Sequence, residues 1–407
     1  MNRRQVASWC LYDFANSSYS AVIAAVVFQV FYINVIVGNA GGRGDLWWGR
    51  AISASMLAVS LSSPFVGGIA DHAGLRKRML AAYTFACCLA VAGFTLLEPG
   101  AALAGFLLIV VANIGMEGGL VFYNSFLPQI APPASRGRVS GWGFGVGYAG
   151  SILALLLALP LAKASRFDAV WLMVAGFFAA GSLPALLWLP RDEPSGVGAA
   201  AAARRGFAGA WGTLRVLWRG RQSRRFLLAY LIYEDGVNTV IVFSSSLAAT
   251  TFGFGQGELI ALFLAVQVAA LAGAFALARP IDLWGPKRVV SLSLLLWSAV
   301  AVAGYLAPDK PSFWAVACVA GLGLGTVQAG TRAFFAQFVP AGREAEYFGV
   351  YSLVGKSSAV IGPLVFGTIS AALGSQRPAI LAIGAFFIVG LALLSRVEGG
   401  GPAVARP

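Results

Sequence analysis

Twelve apolar runs of about 20 residues, joined by short polar stretches, make up nearly the whole chain. Wound as a helix at about 1.5 Å per residue, such a run crosses the ~30 Å hydrocarbon core of a bilayer. Inside that core every backbone N–H and C=O has to be satisfied within its own segment, so the chain is expected to be a bundle of transmembrane helices. Spans 1 to 4 are predicted over 8–37, 47–70, 79–97 and 101–130. Span 5 opens at Gly141, and span 6 covers 169–189. Spans 7 to 10 follow at 226–250, 258–278, 289–306 and 312–339; span 11 carries Gly349 and Lys356, and span 12 covers 378–394. With 58% hydrophobic and 11% charged residues, against about 25% charged in soluble proteins, no room remains for a separate catalytic domain.

The same count argues against an enzyme. No nucleophile is paired with the single histidine, His72, and no cluster of metal-ligating residues or phosphate loop is present, so neither metal nor cofactor is expected. Gly145, Gly147 and Gly150 match a dinucleotide fingerprint, but no strand precedes them; closely repeated glycines in an apolar helix let a neighbouring helix approach. Cys10, Cys87, Cys88 and Cys318 all fall in spans, where they read as small apolar residues. The basic Met1-Asn2-Arg3-Arg4 precedes a run of about 30 residues without a cleavage site, and is read as the start of an uncleaved first helix.

A net charge of +13 would point to nucleic acid in a soluble protein, but here its placement gives topology. Of the 29 Lys and Arg, 21 lie at the N-terminus, in alternate loops or in the tail, and six lie at the opposite boundary. By the positive-inside rule the richer side is cytoplasmic, which puts both termini inside. The expected divisions are a six-helix bundle at 1–189, a basic linker at 190–225, a second six-helix bundle at 226–395 and a tail at 396–407. In the linker, Phe207, Trp211, Leu214 and Trp218 recur at helical spacing among arginines, the pattern of an amphipathic helix on an anionic membrane surface.

Charge inside a bilayer is costly, about 2.5–3.5 kcal/mol per group on insertion scales, so charged positions within spans mark function. Span 1 carries Asp13, Asn16 and Ser17; span 7 repeats that spacing with Asp235, Asn238 and Thr239, next to Glu234. Glu117 lies in span 4, Arg332 in span 10 and Lys356 in span 11, while spans 3, 6, 9 and 12 carry none. Phe334 to Pro340 aligns with Phe126 to Pro132, and at the same offset Gly349 falls on Gly141, Arg332 on Asn124 and Lys356 on Tyr148.

Between spans 2 and 3, Gly67, Asp71, Gly74 and the basic Arg76-Lys77-Arg78 resemble the signature loop of the major facilitator superfamily. Asp282, Gly285 and Lys287 form a degraded copy in the second half. The resemblance implies an all-α membrane fold of twelve helices in two six-helix pseudo-repeats. It implies that spans 1, 4, 7 and 10 line a central cavity and that Asp71, Gly74 and Arg76, with their copy, act as gating loops. His72 and Leu75 stand where arginine is usual, which implies a weaker latch. Tyr12-Asp13-Phe14-Ala15-Asn16-Ser17, Tyr123-Asn124-Ser125-Phe126-Leu127-Pro128 and Tyr233 to Thr239 are similar to the vacuole-effluxer family of that superfamily. Its fungal members are associated with amino-acid export from the vacuole, and its bacterial members imply an inner-membrane location here.

The expected function is secondary transport of a small polar metabolite, an amino acid among the candidates, by alternating access coupled to protons. Asp13, Glu117, Glu234 and Asp235 are the candidate proton carriers; Asn16, Asn124, Asn238, Gln267, Gln328, Arg332 and Lys356 are the candidate substrate contacts, with Lys356 pairing with an acid across the halves. The expected partners are a small-molecule substrate, the proton and the lipid bilayer, with no nucleic acid and a monomeric chain. Efflux of amphipathic cations and a non-transporting receptor or scaffold are the alternatives.

Overall fold

The computed structural model describes residues 1–192, 199–359 and 361–398, and these are almost entirely helical. Among the described residues, twelve helices are long and apolar enough to cross a bilayer. They run Arg3–Val37, Arg43–Ala73, Arg76–Leu96, Ala102–Ile130, Pro133–Lys163, Phe167–Trp188, Arg221–Phe252, Gly257–Trp284, Pro286–Leu306, Lys310–Phe335, Glu344–Leu373 and Arg377–Ser395. Spans 1, 2 and 5 begin several residues earlier than hydropathy predicts. Arginines favour helix, and polar ends keep their helical bonds beyond the hydrocarbon. Asn2 caps span 1 by accepting from the Arg4 N–H at 3.0 Å, and Asp309 caps span 10 through the Ser312 N–H at 2.9 Å.

The turn after span 2 needs its glycine: Gly74 has φ +64°, and the Leu75 N–H closes back on the Ala70 carbonyl at 2.9 Å. Gly285, at φ +83°, serves the same purpose before span 9. The linker contains a helix over Ala199–Arg219 that includes Phe207, Trp211, Leu214 and Trp218. The expected tail lies, beyond residue 398, outside the described residues.

Two departures from simple spans bear on function. Span 1 is α-helical through Ser18 and then winds as a π-helix over Tyr19–Val26 and again over Tyr32–Val37, directly after Asp13, Asn16 and Ser17. π-helical turns lack a residue-level signature and recur at functional sites. Span 11 is two helices, Glu344–Ser357 and Ile361–Leu373.

The chain packs as two compact units that do not follow its halves. Among the described residues, one unit holds 1–130, 146–192, 199–211 and 341–353; the other holds 131–145, 212–340 and 354–398. The first turns of span 5 thus belong with the second half, and the first turns of span 11 with the first half. Glycines explain how. On span 5, a Cβ at Gly141 would stand 2.6 Å from Ala278 Cβ of span 8, and one at Gly145 would stand 2.6 Å from the Phe275 ring. Five residues on, a Cβ at Gly150 would collide with the Phe14 carbonyl of span 1. Span 11 repeats this: Gly349 presses on Ser63 and Pro64 of span 2, and Gly362 on Thr239 and Asp235 of span 7. Each helix changes partner along its length, and backbone approach this close requires glycine.

Candidate transport site

In the first unit, Asp13 is 6% exposed and accepts a hydrogen bond from the Tyr123 hydroxyl at 3.0 Å. Tyr123 is itself fixed on both faces. Trp9 stacks on it at 4.5 Å and 9°, and Tyr12 stacks at 5.2 Å and 20°. The Trp9 indole donates to the Tyr123 carbonyl at 2.8 Å, and the Tyr12 hydroxyl bonds the Thr84 hydroxyl at 2.8 Å. Span 5 closes the other side: a Cβ at Gly147 would lie 3.0 Å from Ser17 Oγ and 3.3 Å from Asp13 Cγ. The Asn16 Nδ2, buried beside them, has no hydrogen-bond partner among the described residues. A buried amide left so costs about 1–3 kcal/mol, which a polar guest would recover. Asn124 is half-buried one residue from Tyr123. Glu117, also half-buried on span 4, acts electrostatically on the Tyr19 hydroxyl of span 1.

In the second unit, Glu234 is 6% exposed; its Oε1 accepts from the Gln328 amide at 3.0 Å, and its Oε2 has no hydrogen-bond partner among the described residues. The Lys356 ammonium acts on Glu234 electrostatically. Glu234 and Lys356 both belong to the second half of the chain. Asp235 is tied to span 11. Both of its carboxylate oxygens accept from the Gly362 N–H, at 2.9 and 3.0 Å, so it caps the second piece of span 11, Ile361–Leu373, where the backbone would otherwise be bare. Asn238 donates to Ser358 at 3.2 Å across the same break, and the Thr239 hydroxyl bonds the Asp235 carbonyl. The motif repeated between spans 1 and 7 therefore faces span 5 in one case and span 11 in the other. Gln267 is buried on span 8.

Arg332, a candidate substrate contact, has partners within the protein. Its Nε donates to the Ser140 hydroxyl at 2.9 Å, its Nη2 to the Ser140 carbonyl at 2.8 Å, and its guanidinium lies 4.1 Å from the centre of the Phe144 ring. It ties the start of span 5 to span 10. Ser140 and Phe144 were not singled out from sequence, since neither residue type signals a guanidinium partner.

The two signature loops do matching work. Asp71 accepts the Ala345 and Glu346 N–H groups at 3.2 and 2.8 Å, receiving the N-terminus of span 11. Asp282 accepts the Arg138 N–H at 3.2 Å, receiving the N-terminus of span 5. A carboxylate at a helix N-terminus is favoured by the aligned peptide dipoles. Around Asp71, Arg76 reaches Asp192 at 3.0 Å and Glu344 at 2.8 Å. Arg343 pairs with Glu346 at 2.8 Å, and that carboxylate raises the guanidinium's pKa above its ordinary value. In the degraded copy Lys287 donates to the Ser395 carbonyl at 2.9 Å and to that of Val397. His72, in the position of an arginine, bonds the Gly68 carbonyl through Nδ1 at 2.8 Å.

Comparison with known proteins agrees with this architecture. The fold resembles the human organic anion transporter MFSD10 (TETRAN), with a TM-score of 0.77, 18% identity and coverage of 96% of this chain and 99% of that one. It also resembles the proton:xylose symporter XylE, with a TM-score of 0.73, 14% identity and coverage of 98% and 96%. In sequence, the MFS-type transporter YxiO of Bacillus subtilis is 27% identical over 97% of this chain and 95% of its own length. Autophagy-related protein 22-1 of Penicillium rubens is 22% identical over 85% of this chain and 74% of its own. The family model described as "Vacuole effluxer Atg22 like" matches residues 50–399. The chain belongs to this Atg22-like family of major facilitator transporters, is a multi-pass membrane protein of the twelve-helix fold, and acts as a secondary transporter rather than an enzyme.

Proposed function

We propose that the protein carries a small zwitterionic metabolite of the amino-acid class by alternating access, with proton movement through Asp13 and Glu234. The observation that carries this reading is the matched pair of buried clusters. Asp13 with the unbonded Asn16 amide sits on span 1, and Glu234 with Gln328 and Lys356 sits on span 7, one residue before the position that repeats Asp13. A carboxylate–amide set suits an ammonium group, and a lysine beside an amide suits a carboxylate. Asp235 leaves the list of proton carriers in this proposal, because its charge is committed to the helix break. Asn124, Asn238 and Gln267 supply neutral contacts, and the two aspartate-capped helix starts form the latch that alternates. The chain works as a monomer in a bacterial inner membrane with both termini inside, in keeping with the loop charges. The solved relatives handle cargo as different as an organic anion and xylose, so the cargo class rests on these side chains and not on the likeness.

The test uses proteoliposomes, a panel of labelled amino acids and an imposed pH gradient. Wild-type protein should accumulate at least one zwitterion uphill. Asp13→Asn should abolish accumulation while leaving counterflow exchange, and Asn16→Ala should weaken both. Accumulation that survives in both Asp13→Asn and Glu234→Gln would refute the coupling proposal. Uptake of lipophilic cations but of no zwitterion would refute the cargo.

A further inference from the structure

The linker helix over Ala199–Arg219 presents three different faces. Gly206, Ala210 and Leu217 are buried against protein. Phe207, Trp211 and Trp218, spaced four and seven residues apart, form one stripe and are 58%, 59% and 56% exposed. Arg204, Arg215 and Arg219 flank the stripe, Arg205 lies further round, and the helix carries no acid. Three large aromatics in a row would be an unusual surface for water but match the interfacial belt of membrane proteins.

The depth of the helix fits as well. A Cβ on Gly68 would meet the Gly206 carbonyl at 2.5 Å, and Phe207 stacks on Phe65 at 4.5 Å and 16°. Residues 65 and 68 lie five to eight positions inside the end of span 2 at Ala73, or roughly 7–12 Å along the helix axis. An interfacial helix buries its apolar side about 5–10 Å into the boundary between headgroups and acyl chains.

The same helix touches the latch. Arg343 donates to the Gly209 carbonyl at 3.3 Å, and a Cβ on Gly209 would lie 3.1 Å from His72 Cε1 and 3.4 Å from Glu346 Oε1.

We propose that the linker helix is a docking surface for anionic lipid of the leaflet on the basic side, and that lipid seated there keeps the start of span 11 on Asp71. The arginines meet the headgroups, the aromatic stripe enters the acyl region, and Gly206 and Gly209 pass the constraint to span 2 and to Arg343 and Glu346. Docking stands independently of the transport reading; the effect on the latch rests on alternating access.

The experiment is amide hydrogen exchange on the full-length protein in vesicles of phosphatidylcholine alone and of phosphatidylcholine with phosphatidylglycerol. It compares wild type with a variant in which Arg204, Arg205, Arg215 and Arg219 are all glutamine. Anionic lipid should slow exchange in 204–219 and in 343–349 of the wild type by at least about fivefold, the factor one interfacial arginine contributes, and should leave the variant unchanged. Equal exchange in both lipids, or full slowing in the variant, would overturn docking. Slowing confined to 204–219 would overturn the effect on the latch. Protection that ignores lipid and grows with protein density would assign the face to a second copy and overturn the proposal. None of these outcomes depends on transport, so a wrong cargo or coupling ion would leave the reading intact.

Discussion

Gly349→Ala offers the most direct test of the crosswise packing. A methyl group there would come within 2.7 Å of Pro64 Cα and the Ser63 carbonyl carbon, both backbone atoms that cannot rotate away. Overpacking of this kind costs about 1–3 kcal/mol, which converts to a shift of roughly 5- to 150-fold in the equilibrium between docked and released span 11. Ser60 reports that equilibrium, being 6% exposed with its hydroxyl 3.4 Å from the Leu353 carbonyl. With Cys10, Cys87, Cys88 and Cys318 replaced by alanine and Ser60→Cys introduced, alkylation by a membrane-impermeant maleimide from the basic side should follow the released fraction. Adding Gly349→Ala should raise the alkylation rate by that 5- to 150-fold factor. Gly141→Ala, the counterpart on span 5, should loosen the Asp282 latch by a similar amount, because its methyl would meet Ala278 Cβ at 2.6 Å and the Ala274 carbonyl at 2.8 Å. An unchanged alkylation rate with Gly349→Ala, in protein that still folds and inserts, would refute the claim that this glycine sets the contact.

Asp235→Asn should lower thermal stability by about 1–2 kcal/mol, since a neutral amide keeps one acceptor for the Gly362 N–H but gives up the charge; a cost equal to that of an exposed substitution, by thermal unfolding in detergent, would argue against a capping role. Arg332→Lys should behave much as Arg332→Ala in transport rate and stability, because lysine keeps the charge but not the planar fork on Ser140 or the stack on Phe144; full rescue by lysine would mean that charge alone matters. Bonds from the Ser312 hydroxyl and N–H hold the Asp309 carboxyl below its ordinary value of 3.8. A depressed carboxyl stabilises the fold above that value and loses the contribution as pH falls through the folded pKa. Asp309→Ala should therefore lower the melting temperature at neutral pH, and the gap to wild type should close as the pH falls below about 4; a gap that is constant with pH would refute the cap.

Much of this organisation is legible in residues. Apolar run length gives the twelve spans, and the Asp71 to Arg78 loop and its copy mark two tight turns because a left-handed glycine and an acid at fixed spacing leave few alternatives. The repeated Asp, Asn and hydroxyl pattern marks the polar positions, but not that one copy mends a broken helix. That break follows Ser357, and Gly362-Pro363 just beyond it is a helix-interrupting pair that an average over apolar length passes over. Hydropathy is equally blind to the π-helical turns of span 1, which change hydrogen bonding and not composition. Arg332 shows the remaining limit. Its cost inside a membrane is evident from its type, but the choice between cargo and Ser140 depends on which helix arrives beside it.

The exchange of helix starts between the halves also sets a problem in time. Arg138 meets Asp282 only after 144 further residues have been made, a delay of roughly 7–30 s at ordinary rates of synthesis. Throughout that interval the glycine-lined beginning of span 5 has no permanent neighbour, and the end of span 2 waits longer still for residue 345. Assembly must therefore end with a late clasp, in which parts threaded early and late close over one another, and an insertion factor that shelters bare helix surfaces would act during that wait.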